Sequence, residues 1–133
     1  MSEHSLSRAA MLVIAGLTGC GSAPASSEFP AAYVGRWGES PEGCSPGAVH
    51  GGLTIRLKSV ADGEFEGKVR SISRKSDGSI DVSEVWDVPE QGLTTFTSNY
   101  RLSPDQNALL VREISGGAGN EPLALVRCNE TRS

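Results

Sequence analysis

Positive charge never gathers in this sequence. Its 133 residues hold 12 Lys and Arg against 16 Asp and Glu, for a net charge of −4, and no basic run is longer than Arg74-Lys75. Nucleic acid and anionic headgroups therefore find no electrostatic footprint to bind. Histidine is scarce, with only His4 and His50. No Cys-x-x-Cys occurs to carry redox exchange, and the serines are scattered through the chain rather than seated beside a base. Two cysteines far apart with His50 for company do not make a metal set. No acid, base and nucleophile can be assembled, so the expectation is a protein that is not an enzyme, with no catalytic residue, no metal and no cofactor.

Long apolar runs are missing as well. The longest, Ala9 to Leu17 (AAMLVIAGL), follows a weakly charged start that contains Arg8. As a helix it covers about 13 Å, far short of the ~30 Å hydrocarbon core of a bilayer. It reads as a cleaved secretory signal. The run stops at Leu17-Thr18-Gly19-Cys20, which resembles the lipobox of bacterial lipoproteins. That resemblance implies a diacylglyceryl group on the Cys20 thiol and cleavage just before it, with Cys20 as the lipidation site. Small residues at 18 and 19 give a peptidase access to the backbone, and only a thiol forms the thioether. Two or three acyl chains on one cysteine make a stable anchor where one would not. Gly21 stands where inner-membrane lipoproteins of enteric bacteria often carry Asp, which favours the outer membrane, facing the periplasm.

Three segments follow. Residues 1–19 are the signal, 20–33 the lipidated cysteine and a flexible tether (CGSAPASSEFPAAY), and 34–133 the folded domain. With Cys20 committed to lipid in an oxidising compartment, Cys44 and Cys128 read as a disulfide. The two lie 84 positions apart. Closing such a loop is worth about 4.5 kcal/mol in the chain-entropy model.

From Tyr33 onward the pattern has period two. Leu53, Ile55 and Leu57 alternate with Thr54, Arg56 and Lys58; Ile80 and Val82 alternate with Asp81 and Ser83. Turn signals at Asp62-Gly63, Asp77-Gly78 and Ser103-Pro104-Asp105 separate the runs. The expectation is an all-β, antiparallel up-and-down meander of about seven strands, a small barrel or half-barrel. The strands fall near 34–39, 53–60, 64–74, 79–88, 93–102, 107–114 and 122–128. Seven strands would close parallel, first against last, which is uncommon in a meander. Closure is then incomplete, or a strand is miscounted.

Gly35-Arg36-Trp37 opens the first strand and Arg127 lies on the last. This looks like the lipocalin pattern, in which a Gly-x-Trp packs under an arginine from the final strand; small protease-inhibitor barrels on envelope lipoproteins have a similar Gly-x-Trp followed by a cysteine. The resemblance implies that Trp37 and Arg127 are barrel-closure residues, whereas the residues alone are met by a Trp that merely fills the core. Glu84 shares the parity of Val82 and Trp86, so strict alternation turns it inward, where a carboxylate must be paired or protonated. A bulge at Ser83-Glu84 that turns it outward is the expectation adopted. His50 (in GAVHGG) reads as a surface histidine, Glu64, Glu66, Asp81 and Asp87 as solvation, and SGGAGNE (115–121) as a mobile rim loop.

The function expected is a non-enzymatic, lipid-anchored envelope protein whose rim loops, 40–52 and 115–121, bind or inhibit another envelope protein. Its partners are the membrane, through the lipid, and that protein. The alternative is a carrier of a small apolar ligand inside the barrel. A carrier needs small inward positions, such as Gly67, Ser71 and Ser73. A binding module needs a filled core, which Leu53, Ile55, Leu57, Phe65, Phe96, Leu109 and Val111 could supply, and the filled core is the expectation.

Overall fold

The computed structural model describes residues 26–44, 52–63, 65–115 and 121–129. Cys20 and His50 lie outside them, as do 45–51 and 116–120, the middles of the two expected rim loops, and Glu64. The described residues contain β1 (Gly35–Gly38), β2 (Gly52–Ile55), β3 (Ser59–Asp62), β4 (Phe65–Arg74), β5 (Ile80–Val88), β6 (Gly92–Leu102), β7 (Ala108–Glu113) and β8 (Leu123–Arg127). Each pairs antiparallel with the next, and the sheet is a closed barrel in strand order one to eight. The small antiparallel barrel read from the alternation is thus present, with one strand more than expected.

The extra strand comes from splitting residues 53–60. Arg56, Leu57 and Lys58 form a tight turn in which the Arg56 N–H donates to the Ser59 carbonyl at 2.9 Å. That turn holds no Gly, Pro, Asn or Asp, so alternation runs through it unbroken in the sequence. Leu57 is a turn residue, 50% exposed. An eighth strand removes the parallel-closure problem, because β8 runs antiparallel to β1 with Trp37 opposite Arg127 and Gly38 opposite Val126.

One end of the barrel is sealed. β2, β4 and β6 end there, β1 starts there, and β8 finishes there. The core fills this end with Ile55, Ile72, Ile80, Val82, Leu109 and Leu125, all buried around Trp37. The plug is completed by residues expected to belong to the tether. Phe29 and Tyr33 are buried, with Phe29 edge-on to Tyr100 at 5.4 Å between ring centroids. Ser26 bridges Ile72, and the Phe29 N–H donates to the Leu57 carbonyl at 2.8 Å. The packed unit therefore begins before residue 34: two aromatic rings occupy barrel-end space that the strands' own side chains leave unfilled.

The seam between β1 and β8 is fastened three times. The Arg127 guanidinium carbon lies 4.2 Å from the Trp37 ring centroid. Its nitrogens donate to the carbonyls of Ala32 (2.6 Å), Val34 (3.3 Å) and Gln106 (2.9 Å), tying the plug, β1 and the β6–β7 turn together. A disulfide joins Cys44 to Cys128 and holds the 3-10 helix Pro41–Cys44 against the seam. Gly35 has φ +146°, and a Cβ there would sit 3.1 Å from Arg127 Nη1. The first letter of Gly-x-Trp is thus set by both backbone and neighbour.

Candidate functional site

At the opposite end the described residues do not fill the barrel. β1, β3, β5 and β7 end there, and the interior holds a cavity of about 560 Å³, within the range of small-molecule sites. Leu53, Val60, Phe96, Val111 and Leu123 give it apolar walls. Tyr100 is its floor: one side of the ring packs on Phe29 in the sealed end, and its hydroxyl faces the cavity residue Glu84. Phe65, expected in the core, is 45% exposed near this end.

Glu84 points inward, contrary to expectation, and only 3% of it is exposed. A bulge does occur here, but on the neighbouring strand. Val69 pairs with Glu84 and Ser71 with Ser83, so the irregularity falls at Arg70 of β4. β5 stays regular, and Ile80, Val82, Glu84 and Trp86 keep one parity. The bulge instead changes the parity of β4. Ser71 and Ser73, expected inside as small wall residues, are on the exposed outer face, while Gly67 and Ile72 are buried. Gly67 lies directly beneath Trp86: a methyl group there would overlap the indole ring.

The Glu84 carboxylate is hydrogen-bonded on both oxygens. Oε1 accepts from the Tyr100 hydroxyl, and Oε2 accepts from Trp86 Nε1 at 2.8 Å. Burial pushes its carboxyl above the ordinary range; the two hydrogen bonds oppose that, and the charge of Asp62 reinforces it. Tyr100 is held well above the ordinary phenol by its own burial and by the adjacent negative charge. Asp62, at the mouth on β3, is also raised, by loss of solvent on one side. Glu113 and Glu121 complete a set of four carboxylates on the cavity wall.

Among the sequence-predicted site residues, the structure brings Trp37 to Arg127 and Cys44 to Cys128. Asp81 lies outside the cavity, 3.3 Å from Lys75 Nζ, and Glu66 and Asp87 are on exposed wall positions. Asp62, Trp86, Tyr100, Glu113 and Glu121 were missed as site residues. A signal existed: Asp62 shares parity with Val60, Glu84 with Val82, and Glu113 with Val111. Three strands thus carry a carboxylate on the inward face toward the same end. No protein-family model matches the chain, and neither a curated protein nor a solved structure does.

Proposed function

We propose that this chain is a lipid-anchored lipoprotein of the bacterial envelope whose barrel binds a small molecule in the open-end cavity, without catalysing a reaction on it. One observation carries the binding reading. A closed barrel this small could have been filled throughout, yet among the described residues its interior is packed at one end and hollow at the other, with a floor made by Tyr100 and Glu84. That favours the carrier over the rim-loop binding module. The anchor reading is supported by the lipobox-like Leu17-Thr18-Gly19-Cys20. The Gly35, Trp37 and Arg127 cluster is consistent with a lipocalin-like kinship and has a closure role rather than a chemical one.

Two experiments test the two parts. Labelled palmitate is expected to enter the protein at Cys20, and Cys20→Ser to move it from the membrane to the soluble fraction; an unlabelled protein that stays membrane-bound after the substitution overturns the anchor. Native mass spectrometry of the full Cys20→Ser chain is expected to reveal a retained small molecule, or uptake of the neutral dye Nile red with a change in tryptophan emission from Trp86. If the folded protein carries no added mass and takes up no dye, the carrier reading is overturned.

A further inference from the structure

We propose that the cavity takes an organic cation, a molecule with an apolar body and one protonated nitrogen whose charge is met by the Glu84 carboxylate. The inference deepens the small-molecule reading and rests on it. Four carboxylates line the cavity, and among the described residues no Lys, Arg or His does. An anionic ligand would meet repulsion from the carboxylates of Glu84 and Asp62. A neutral apolar ligand would bury Glu84 further and give it no counter-charge, an arrangement that costs free energy. A metal ion is the other way to supply positive charge. Yet among the described residues no three His, Cys, Asp or Glu are grouped to hold one, and a hard cation needs several oxygens at about 2.0–2.6 Å.

The geometry suits a nitrogen on a carbon body. Each Glu84 oxygen already accepts one hydrogen bond, from Tyr100 or from Trp86, and each keeps a second lone pair for an N–H donor. Those two donors fix the carboxylate in place, so a ligand need not order it. The indole of Trp86 and the ring of Tyr100 flank the position, each turning its polar edge to the carboxylate. The apolar remainder of the ligand lies against Leu53, Val111 and Leu123. Burial and the Asp62 charge both work against an ionised Glu84 in the empty barrel; a bound cation offsets both at once.

The test compares three ligands that share one body: decylamine, decanol and decanoate, titrated into the full Cys20→Ser chain at neutral pH and followed by calorimetry and tryptophan emission. Decylamine is expected to bind about tenfold more tightly than decanol, the difference of one charge-assisted hydrogen bond, and decanoate most weakly. Glu84→Gln keeps the side chain's shape and is expected to erase the amine's advantage while leaving decanol affinity in place. Should that variant not fold, Asp62→Asn at the mouth is expected to give a smaller loss confined to the amine, and the three-ligand comparison on the wild-type side chains decides without either variant. Equal binding of amine and alcohol, or preference for decanoate, overturns the cation while leaving the small-molecule reading intact. Failure of all three ligands and of Nile red overturns both.

Discussion

The two ends of this barrel are built from the same strands and have opposite economies. At the sealed end Trp37, Phe29, Tyr33 and a ring of aliphatic side chains exclude water, the Trp37 indole N–H donates to the Tyr33 carbonyl at 2.9 Å, and Arg127 and the disulfide lock the seam. At the open end the same inward positions carry Glu84, Asp62 and Glu113 around a hollow. Burying a carboxylate and leaving space unfilled both cost stability. The difference teaches that such costs are tolerable in a small domain when the stabilising devices are concentrated elsewhere.

The sharpest way to break this contrast is to truncate one large side chain at each end. Trp37 is 1% exposed, and Trp37→Ala is expected to cost about 3–5 kcal/mol, with a further loss because Arg127 then stacks on nothing. Phe96 is only partly buried and faces the cavity, so Phe96→Ala is expected to cost a fraction of that while weakening ligand binding. Urea unfolding of the two variants measures both. Similar losses at the two ends would mean that the hollow end is stabilised as much as the filled one.

Opening the seam comes next in size. Replacing Cys44 and Cys128 together by Ala is expected to cost about 2–4 kcal/mol, read as a lower urea midpoint. The described cavity is lined by neither cysteine, so Nile red affinity of the folded variant should hold. Binding lost in step with the disulfide would show that the two ends are coupled through the 3-10 helix at the seam.

Much of the sealed end could be read from residues alone, because its features are local or pairwise. Gly35-Arg36-Trp37, Arg127 and the cysteine pair each name a partner by residue type, and alternation names the wall. The open end could not be read the same way. Whether Glu84 turns in or out depends on which strand carries the bulge, and a bulge at Arg70 leaves no mark on the sequence of β5. The eighth strand was hidden because Arg56-Leu57-Lys58 turns without a turn residue. Phe29 and Tyr33 sit in a stretch whose small, polar composition reads as linker, and only the shape of the barrel end explains why they pack. A cavity is likewise a property of summed volumes, which no single strand reports.

Glu84 allows the contrast to be tested by a gain rather than a loss. Its carboxyl is raised in the folded state, so the fold favours the protonated form. The associated stability is fully present below the unfolded value, about 4.3, and is lost as pH rises through the folded value. The charged and titratable groups facing it are Tyr100 from β6 and Asp62 from β3, while Val69 of β4 stands opposite. Glu84→Gln is therefore expected to raise the melting temperature at neutral pH by less than the disulfide contributes, and the gain should vanish in acid. Saturating decylamine should stabilise the wild-type protein more than the Gln variant. A variant less stable than wild type at neutral pH would mean that the bonds from Tyr100 and Trp86 outweigh the burial of charge.

The smallest expected change in stability, and the one most specific to the open end, is Gly67→Ala. The added methyl group overlaps the Trp86 ring. In a filled core that would force a backbone shift and cost about 1–3 kcal/mol. Here the indole has the cavity to move into, so the loss is expected near the bottom of that range, about 1 kcal/mol. The displaced ring would occupy ligand space and leave its 2.8 Å hydrogen bond to Glu84. Affinity for Nile red and for decylamine should both fall, the amine's further, because Glu84 loses one of the two donors that hold it. A Gly67→Ala protein with large destabilisation and unchanged binding would place Trp86 in a tightly packed wall, and the hollow would then be smaller than its lining suggests.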